Sequence, residues 1–272
     1  MSTQKSVLIT GTSSGIGRAA VHHFSRLGWR VAATMRSPEK DVELGKLPGV
    51  TVYRLDVTDV ASIDEAFAAA RRDFGRLDVL VNNAGYGLDG VFEAMTDDVI
   101  RQQFETNVFG LMRTTRAAIP YMREQGGGCI VQVASMGGRL AFPLFSIYHG
   151  TKWAVEGFSE SLHYELAPFG IEVKLIEPGA IRTEFYGKGR VFVGGDRTEY
   201  RALVEKAEQV SQAPSRTGVA PEVVARAIGE AAAHRGPRLR FPVGAPAPLL
   251  LFLRRLLPEA WFYAIVRRSY GL

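Results

Sequence analysis

SVLITGTSSGIG, residues 6–17, runs a short apolar, β-branched stretch straight into three glycines and then into a helical pattern. Strand, tight turn and helix in that order predict a βα unit. Gly11, Gly15 and Gly17 let the backbone turn sharply and approach an anion closely, while a helix starting near Ile16 aims unpaired N–H groups and a partial positive charge at it. Thr12, Ser13 and Ser14 are expected to add hydroxyl donors. This is the pattern of a cradle for a dinucleotide pyrophosphate, and its context gives it weight, because strand and helix are predicted independently of the glycines.

Outward from that unit the same rhythm repeats. WRVAATM from Trp29, VTVYRL from Val50, LDVLVNN from Leu77, GCIVQVAS from Gly128, IEVKLIEP from Ile171 and RLRFPV from Arg238 read as six further strands. They are nearly continuously apolar, as strands covered by helices on both faces must be. Helical periodicity over 15–28, 59–74, 97–125, 146–168 and 220–233 fills the intervals. Right-handed crossovers then predict a doubly wound α/β Rossmann fold with a mostly parallel, seven-stranded sheet. No repeat or low-complexity linker divides the chain, so residues 1–272 read as one domain. Two stretches break the rhythm: the polar, glycine-punctuated 183–219, read as a substrate loop, and the Pro-rich, then amphipathic 244–272. Loops on a rigid sheet are where binding differences concentrate.

The composition excludes other classes. With 272 residues, 46% hydrophobic and 22% charged, the chain is neither disordered nor fibrous. A single cysteine, Cys129, supplies no internal disulfide and no multi-cysteine metal site, so a cytoplasmic enzyme without a metal is expected. The apolar run in MSTQKSVLITG is too short for a signal peptide. LLLFLRRLL from Leu249 is interrupted by Arg254 and Arg255 and falls short of a membrane span. The formal charge of +5 is concentrated at one end, since residues 235–272 hold seven arginines against Glu259 alone. The rest is nearly neutral, which argues against a nucleic-acid-binding face.

The end of the second predicted strand carries Met35-Arg36-Ser37. An acid there would bind the ribose 2′-hydroxyl of NAD and repel a 2′-phosphate, whereas Arg36 can pair with that phosphate. NADP is therefore favoured, with NAD left open. Further along stand LDVTD from Leu55, NNAG from Asn82, TNVFG containing Asn107, VAS ending at Ser135, YHGTK from Tyr148 and PGAIRT from Pro178. With TGTSSGIG, this ordered set resembles the short-chain dehydrogenase/reductase family, of its compact single-domain type, from Lys5 to about Thr183.

The resemblance implies that Ser135, Tyr148 and Lys152 carry the chemistry, with Asn107 holding a water that links Lys152 to solvent. It implies that Asp56, beside Val57, meets the adenine side, that Asn83 braces the central strands, and that Ala84 and Gly85 let the backbone run close to the cofactor. Within PGAIRT, beginning Pro178-Gly179, Ile181 and Thr183 would position the nicotinamide. Physical chemistry supports the Tyr148–Lys152 pairing, because positions i and i+4 share a helix face and a nearby ammonium favours the phenolate. His149 and Gly150 depart mildly from the family's wording and are expected to touch none of these roles.

The implied function is NADP-dependent interconversion of a carbonyl and an alcohol on a lipophilic, steroid-, retinoid- or acyl-like substrate, by a homodimer or homotetramer. An NAD-linked alcohol dehydrogenase and a non-catalytic NADPH-binding sensor are the alternatives. Leu140, Phe142, Pro143, Phe145, Phe185 and Tyr186, with Arg139 as the nearby charge, read either as substrate wall or as plain core. The apolar tail, with its Arg254, Arg255, Arg267 and Arg268, reads first as packing on its own domain or as a subunit contact, and second as a membrane-surface helix.

Overall fold

The computed structural model describes residues 4–183 and 189–272, the side chains of 211–217 excepted. The predicted Phe185 and Tyr186 lie outside the described residues. Among the described residues nine strands run in chain order: β1 Ser6–Thr10, β2 Arg30–Met35, β3 Val50–Arg54, β4 Val79–Asn82, β5 Gly87–Gly90, β6 Gly128–Val133, β7 Ile171–Pro178, β8 Arg190–Val193 and β9 Arg240–Val243. Seven of them form one parallel sheet in the order β3-β2-β1-β4-β6-β7-β9. These are the seven strands expected from the sequence, in a Rossmann α/β arrangement.

The helices are α1 Gly15–Arg26, α2 Val60–Phe74, α3 Asp97–Phe104, α4 Leu111–Glu124, α5 Ser146–Leu166, α6 Arg201–Thr217, α7 Pro221–Ala233, α8 Ala247–Leu256 and α9 Glu259–Tyr270. Alternation along β1 explains why its run is unbroken. Val7 and Ile9 enter the core beneath α1 and α7, whereas Leu8 enters the opposite core with Phe67 of α2 and Met122 of α4. Successive side chains point to opposite faces, and both faces are covered. Asp59 caps α2 by accepting from the N–H groups of Ala61 (3.0 Å) and Ser62 (3.3 Å), and Gly75 ends it at φ +77°.

Two parts of the architecture depart from the sequence reading. The stretch 183–219, read as a loop, contains β8 and α6; β8 pairs in parallel with β5 as a separate two-stranded sheet. Asp89 of β5, buried, holds Arg190 of β8 through Nε at 2.7 Å and Nη2 at 2.5 Å. The predicted helix 97–125 is three pieces, because Glu105–Gly110 between α3 and α4 winds as a π-helix.

Chain order reverses between β1 and β4, and a crevice opens there at the carboxyl ends of the strands. Below it, Asn82 ties β4 to β6 and α4. Its amide donates to Thr115 Oγ1 and Gln132 Oε1, both at 2.9 Å, and its oxygen accepts from Thr114 Oγ1 at 2.7 Å. A fully paired polar network of this kind fixes one arrangement of the central strands.

Candidate active site

The carboxyl ends of β1, β2, β4, β6 and β7 open onto one cavity of about 1150 Å³. Ser13, Ser14, Gly15 and Ile16 line one side of it; Ser135, Tyr148 and Lys152 line another. Pro178, Gly179, Ile181 and Thr183 lie along the same cavity.

The glycine turn meets the steric demands of a pyrophosphate cradle. Gly11 sits at φ +69°, and a Cβ there would lie 2.8 Å from Ala84 Cα. A Cβ on Gly17 would fall 2.3 Å from the Gly11 carbonyl oxygen and 2.5 Å from Asn83 Nδ2. Only glycine fits, so the turn closes tightly and α1 begins at Gly15, on the cavity wall. Asn83 braces this turn as expected, its Nδ2 donating to the carbonyls of Thr10 and Gly11 at 3.0 Å each. Thr12 and Gly17 do not line the cavity. The Thr12 side chain is fully buried and its hydroxyl donates to the Thr34 carbonyl at 3.1 Å, so it supports the turn and is not a phosphate donor. Ser13 and Ser14 remain for that role.

Arg36 leaves the end of β2, exposed at the cavity edge, and holds no ion pair among the described residues. Asp56 and Val57 line the same cavity. Asp56 is held by the N–H and hydroxyl of Thr58 at 2.9 and 2.8 Å, an arrangement that fixes the carboxylate beside the cavity. Ala84 and Gly85 border it from β4. These positions leave room for a dinucleotide along the carboxyl ends of the strands.

Ser135 follows β6 and its Oγ accepts the Gly137 N–H at 3.0 Å. That bond leaves the hydroxyl proton free to point at a substrate oxygen. Lys152, one turn after Tyr148 on α5, is buried and donates to the Val133 carbonyl at 2.9 Å; its Nζ lies 5.8 Å from the centre of the Tyr148 ring. Burial brings its pKa down to about 8, against which the charge of Glu156 works to raise it. Glu156, a turn further on, is itself buried, and burial together with Glu177 pushes its carboxyl up to about 7. Arg240 bonds Glu156 at 3.0 Å, and Arg139 reaches Glu177 at 3.3 Å. The sequence reading left Glu156, Glu177 and Arg240 unassigned.

His149 corrects an expectation. Although it lies between Tyr148 and Lys152 on α5, it does touch the chemistry-bearing loop. Its Nε2 accepts the Phe142 N–H at 3.1 Å and its Nδ1 lies 2.9 Å from the Gly137 carbonyl. The two partners fix a neutral tautomer with the proton on Nδ1. Burial brings its pKa down to about 4, with the Gly137 bond opposing. The imidazole therefore ties 137 to 142, and through the Gly137 N–H it fixes Ser135.

Asn107 sits inside the π-helical turn, a feature frequent at functional sites. Its side chain is buried: Nδ2 donates to the Tyr86 carbonyl at 2.9 Å and to Thr151 Oγ1 of α5 at 3.4 Å, and Oδ1 accepts the Tyr86 N–H at 3.1 Å. It does not line the cavity; its place is to hold the segment after Gly85.

At the far end, Phe142 and Phe145 face the cavity, as do Val191 of β8, Val210 of α6, Leu250 of α8 and Tyr270 of α9. Leu140 instead packs in a small core with Ala247, Leu251 and Phe262, and Arg139 is paired with Glu177. The sequence reading missed Val191 and Val210. The β-branched run RVFV between glycines was the visible signal for Val191; nothing in the sequence marked Val210.

A family model described as short chain dehydrogenase matches residues 5–190. The crystal structure of a short-chain dehydrogenase from Streptomyces avermitilis superposes with a TM-score of 0.84 at 38% identity, covering 98% of both chains. The structure of ElxO with NADP bound gives 0.72 at 30% identity, covering 88% of this chain and 97% of that one. A short-chain dehydrogenase/reductase from Burkholderia phymatum in complex with NAD gives 0.79 at 27% identity, covering 93% and 92%. The curated relatives include the 3-ketodihydrosphingosine reductase of Bacteroides thetaiotaomicron, 34% identical over 269 residues and covering 98% of each chain.

Proposed function

The chain belongs to the short-chain dehydrogenase family, and from that premise we propose that this NAD(P)-dependent oxidoreductase uses NADPH to interconvert a carbonyl and an alcohol on a lipophilic substrate. The observation that carries the reading is the convergence of Ser135, Tyr148 and Lys152 on the cavity that also receives the glycine turn and Arg36. Arg36 at the end of β2, where an acid would repel a 2′-phosphate, supports NADPH. Aromatic and aliphatic walls at the far end support an apolar substrate, and the name of the Bacteroides relative, a ketone reductase, agrees with that class.

When bound, the nicotinamide supplies or takes up the hydride. In reduction the Tyr148 hydroxyl gives its proton to the substrate oxygen while the Ser135 hydroxyl donates a hydrogen bond to the same oxygen. Lys152, held on the Val133 carbonyl, stabilises the phenolate that remains. Oxidation runs the same steps backwards. Gly11 to Gly17 and Arg36 orient the dinucleotide, and Asn107 and His149 hold the walls in place.

The test is Tyr148→Phe assayed against a panel of long-chain and polycyclic ketones. The wild type should consume NADPH with members of that panel, and the variant should bind NADPH normally yet turn over at least about 10²-fold more slowly. Retained turnover would remove Tyr148 from its assigned role, and activity confined to short polar carbonyls would overturn the substrate class.

A further inference from the structure

Helices α8 and α9 have two sides with different fates. Their inner sides converge on one small core, where Ala247, Leu251 and Phe262 pack with Leu140. Leu250 and Tyr270 from the same helices line the cavity. The packing expected for the tail is thus satisfied by its inner sides, and the outer sides have no partner among the described residues. Leu249, Phe252 and Leu256, at i, i+3 and i+7 of α8, are 60%, 58% and 62% exposed. Trp261 and Ile265, at i and i+4 of α9, are 65% and 52% exposed. Each set lies on a single helix face.

Charge decides what fits this surface. Arg254 is paired with Glu259 at 2.8 Å, whereas Arg255, Arg267 and Arg268 are exposed and hold no ion pair among the described residues. At helical spacing Arg268, seven residues after Trp261, flanks it on the side away from Ile265, and Arg255 flanks Phe252 on the side away from Leu256. A second copy seated face to face would press together two patches that both carry unpaired arginines, since a two-fold interface repeats the same patch on both sides. An anionic bilayer supplies the opposite charge and an apolar interior for the leucines and tryptophan. No helix among the described residues is long and apolar enough to cross a membrane, so the contact is one of adsorption.

We propose that the outer faces of α8 and α9 form a docking surface for an anionic lipid bilayer. The surface stands independently of the substrate reading, because its occupancy is measured without turnover. If the substrate is lipophilic as proposed above, docking also sets the helices that carry Leu250 and Tyr270 against the phase in which that substrate dissolves.

The experiment is co-sedimentation of the full chain with vesicles of phosphatidylcholine alone and of phosphatidylcholine mixed with phosphatidylglycerol. Binding is expected to the mixed vesicles only, and to weaken as salt rises from about 0.1 M to about 1 M. The triple variant Arg255→Glu, Arg267→Glu, Arg268→Glu should lose at least about 10²-fold in partitioning, given the attraction each basic residue near such a surface contributes. Leu249→Ser with Trp261→Ser should weaken binding without removing its salt dependence. NADPH binding serves as the control for folding, as none of these side chains lines the cavity. Absence of binding to the mixed vesicles, or binding that the triple variant retains, overturns the proposal. So does concentration-dependent self-association in ultracentrifugation that the same substitutions abolish, which would make the surface a contact between copies.

Discussion

Replacing His149 with Phe tests how the active-site loop is held. The imidazole accepts the Phe142 N–H and donates to the Gly137 carbonyl, and it is only 6% exposed. Phenylalanine keeps the ring and strands both backbone groups. At about 1–3 kcal/mol for each buried group left unpaired, the variant should lose about 2–6 kcal/mol of stability at pH 7.5. Its second signature is a pH dependence. Burial lowers the folded-state pKa of His149 from 6.5 to about 4. Between those values the unfolded chain binds a proton that the folded one refuses, so this contribution is complete above pH 6.5 and is lost as pH falls through about 4. The gap corresponds to about 3 kcal/mol, undiscounted because the group is buried.

Urea unfolding of the cofactor-free protein, wild type and variant, from pH 7.5 down to 4 gives the measurement. Glu156, whose pKa is raised from 4.5 to about 7, acts in the opposite sense: its contribution is present below pH 4.5 and lost as pH rises through about 7. Glu177 and Asp89 are raised too and share that sense. All three are common to both proteins and drop out of the difference. The stability advantage of the wild type should therefore shrink by about 3 kcal/mol on acidification. His149→Asn, which can keep one of the two bonds without titrating, should recover part of the neutral-pH stability and none of the slope. A wild-type advantage that is flat between pH 7.5 and 4 would refute the account.

Three other substitutions probe separate parts of the site. Arg36→Asp should weaken NADPH binding by at least about 10-fold and improve NADH binding, as followed by fluorescence titration, because the new carboxylate repels a 2′-phosphate and accepts from a 2′-hydroxyl. Glu156→Gln removes the negative charge that raises the pKa of Lys152, so the alkaline limb of the pH–rate profile should move below its wild-type position, where Lys152 titrates at about 8. Gly17→Ala places a Cβ 2.3 Å from the Gly11 carbonyl oxygen; it should cost about 1–3 kcal/mol in urea unfolding and weaken both nicotinamide dinucleotides alike.

The seven strands and the glycine turn were legible because local signals and tertiary demands coincide there. A strand buried on both faces must be apolar throughout, and a turn that leaves no room for a Cβ must be glycine, so the physical constraint is written in residue type. Thr12 lay beyond that logic: a hydroxyl in a glycine-rich turn can face a phosphate or the strand beneath it, and only the fold shows that it bonds the Thr34 carbonyl. The π-helical turn at Glu105–Gly110 was invisible for a similar reason, since its residues also satisfy α-helical periodicity. Charge patterns near 156, 177 and 240 said nothing individually, because the sheet order that places β7 beside β9 is what brings those groups together.

His149 shows where reading by spacing fails most instructively. Helical geometry places i+1 well away from the i, i+4 face, and Tyr148 and Lys152 do share a cavity that this rule foresees. The rule counts directions along one helix, whereas the loop 135–142 wraps across the end of α5 and meets His149 there. His149, which lines the same cavity as Tyr148 and Lys152, can thus govern Ser135 on the opposing loop through one backbone N–H at Gly137. Orientation of the serine and orientation of the tyrosine are consequently set by the same helix. Loosening His149 should disturb turnover before it disturbs dinucleotide binding, because the glycine turn and Arg36 are anchored on β1 and β2 and make no use of that helix.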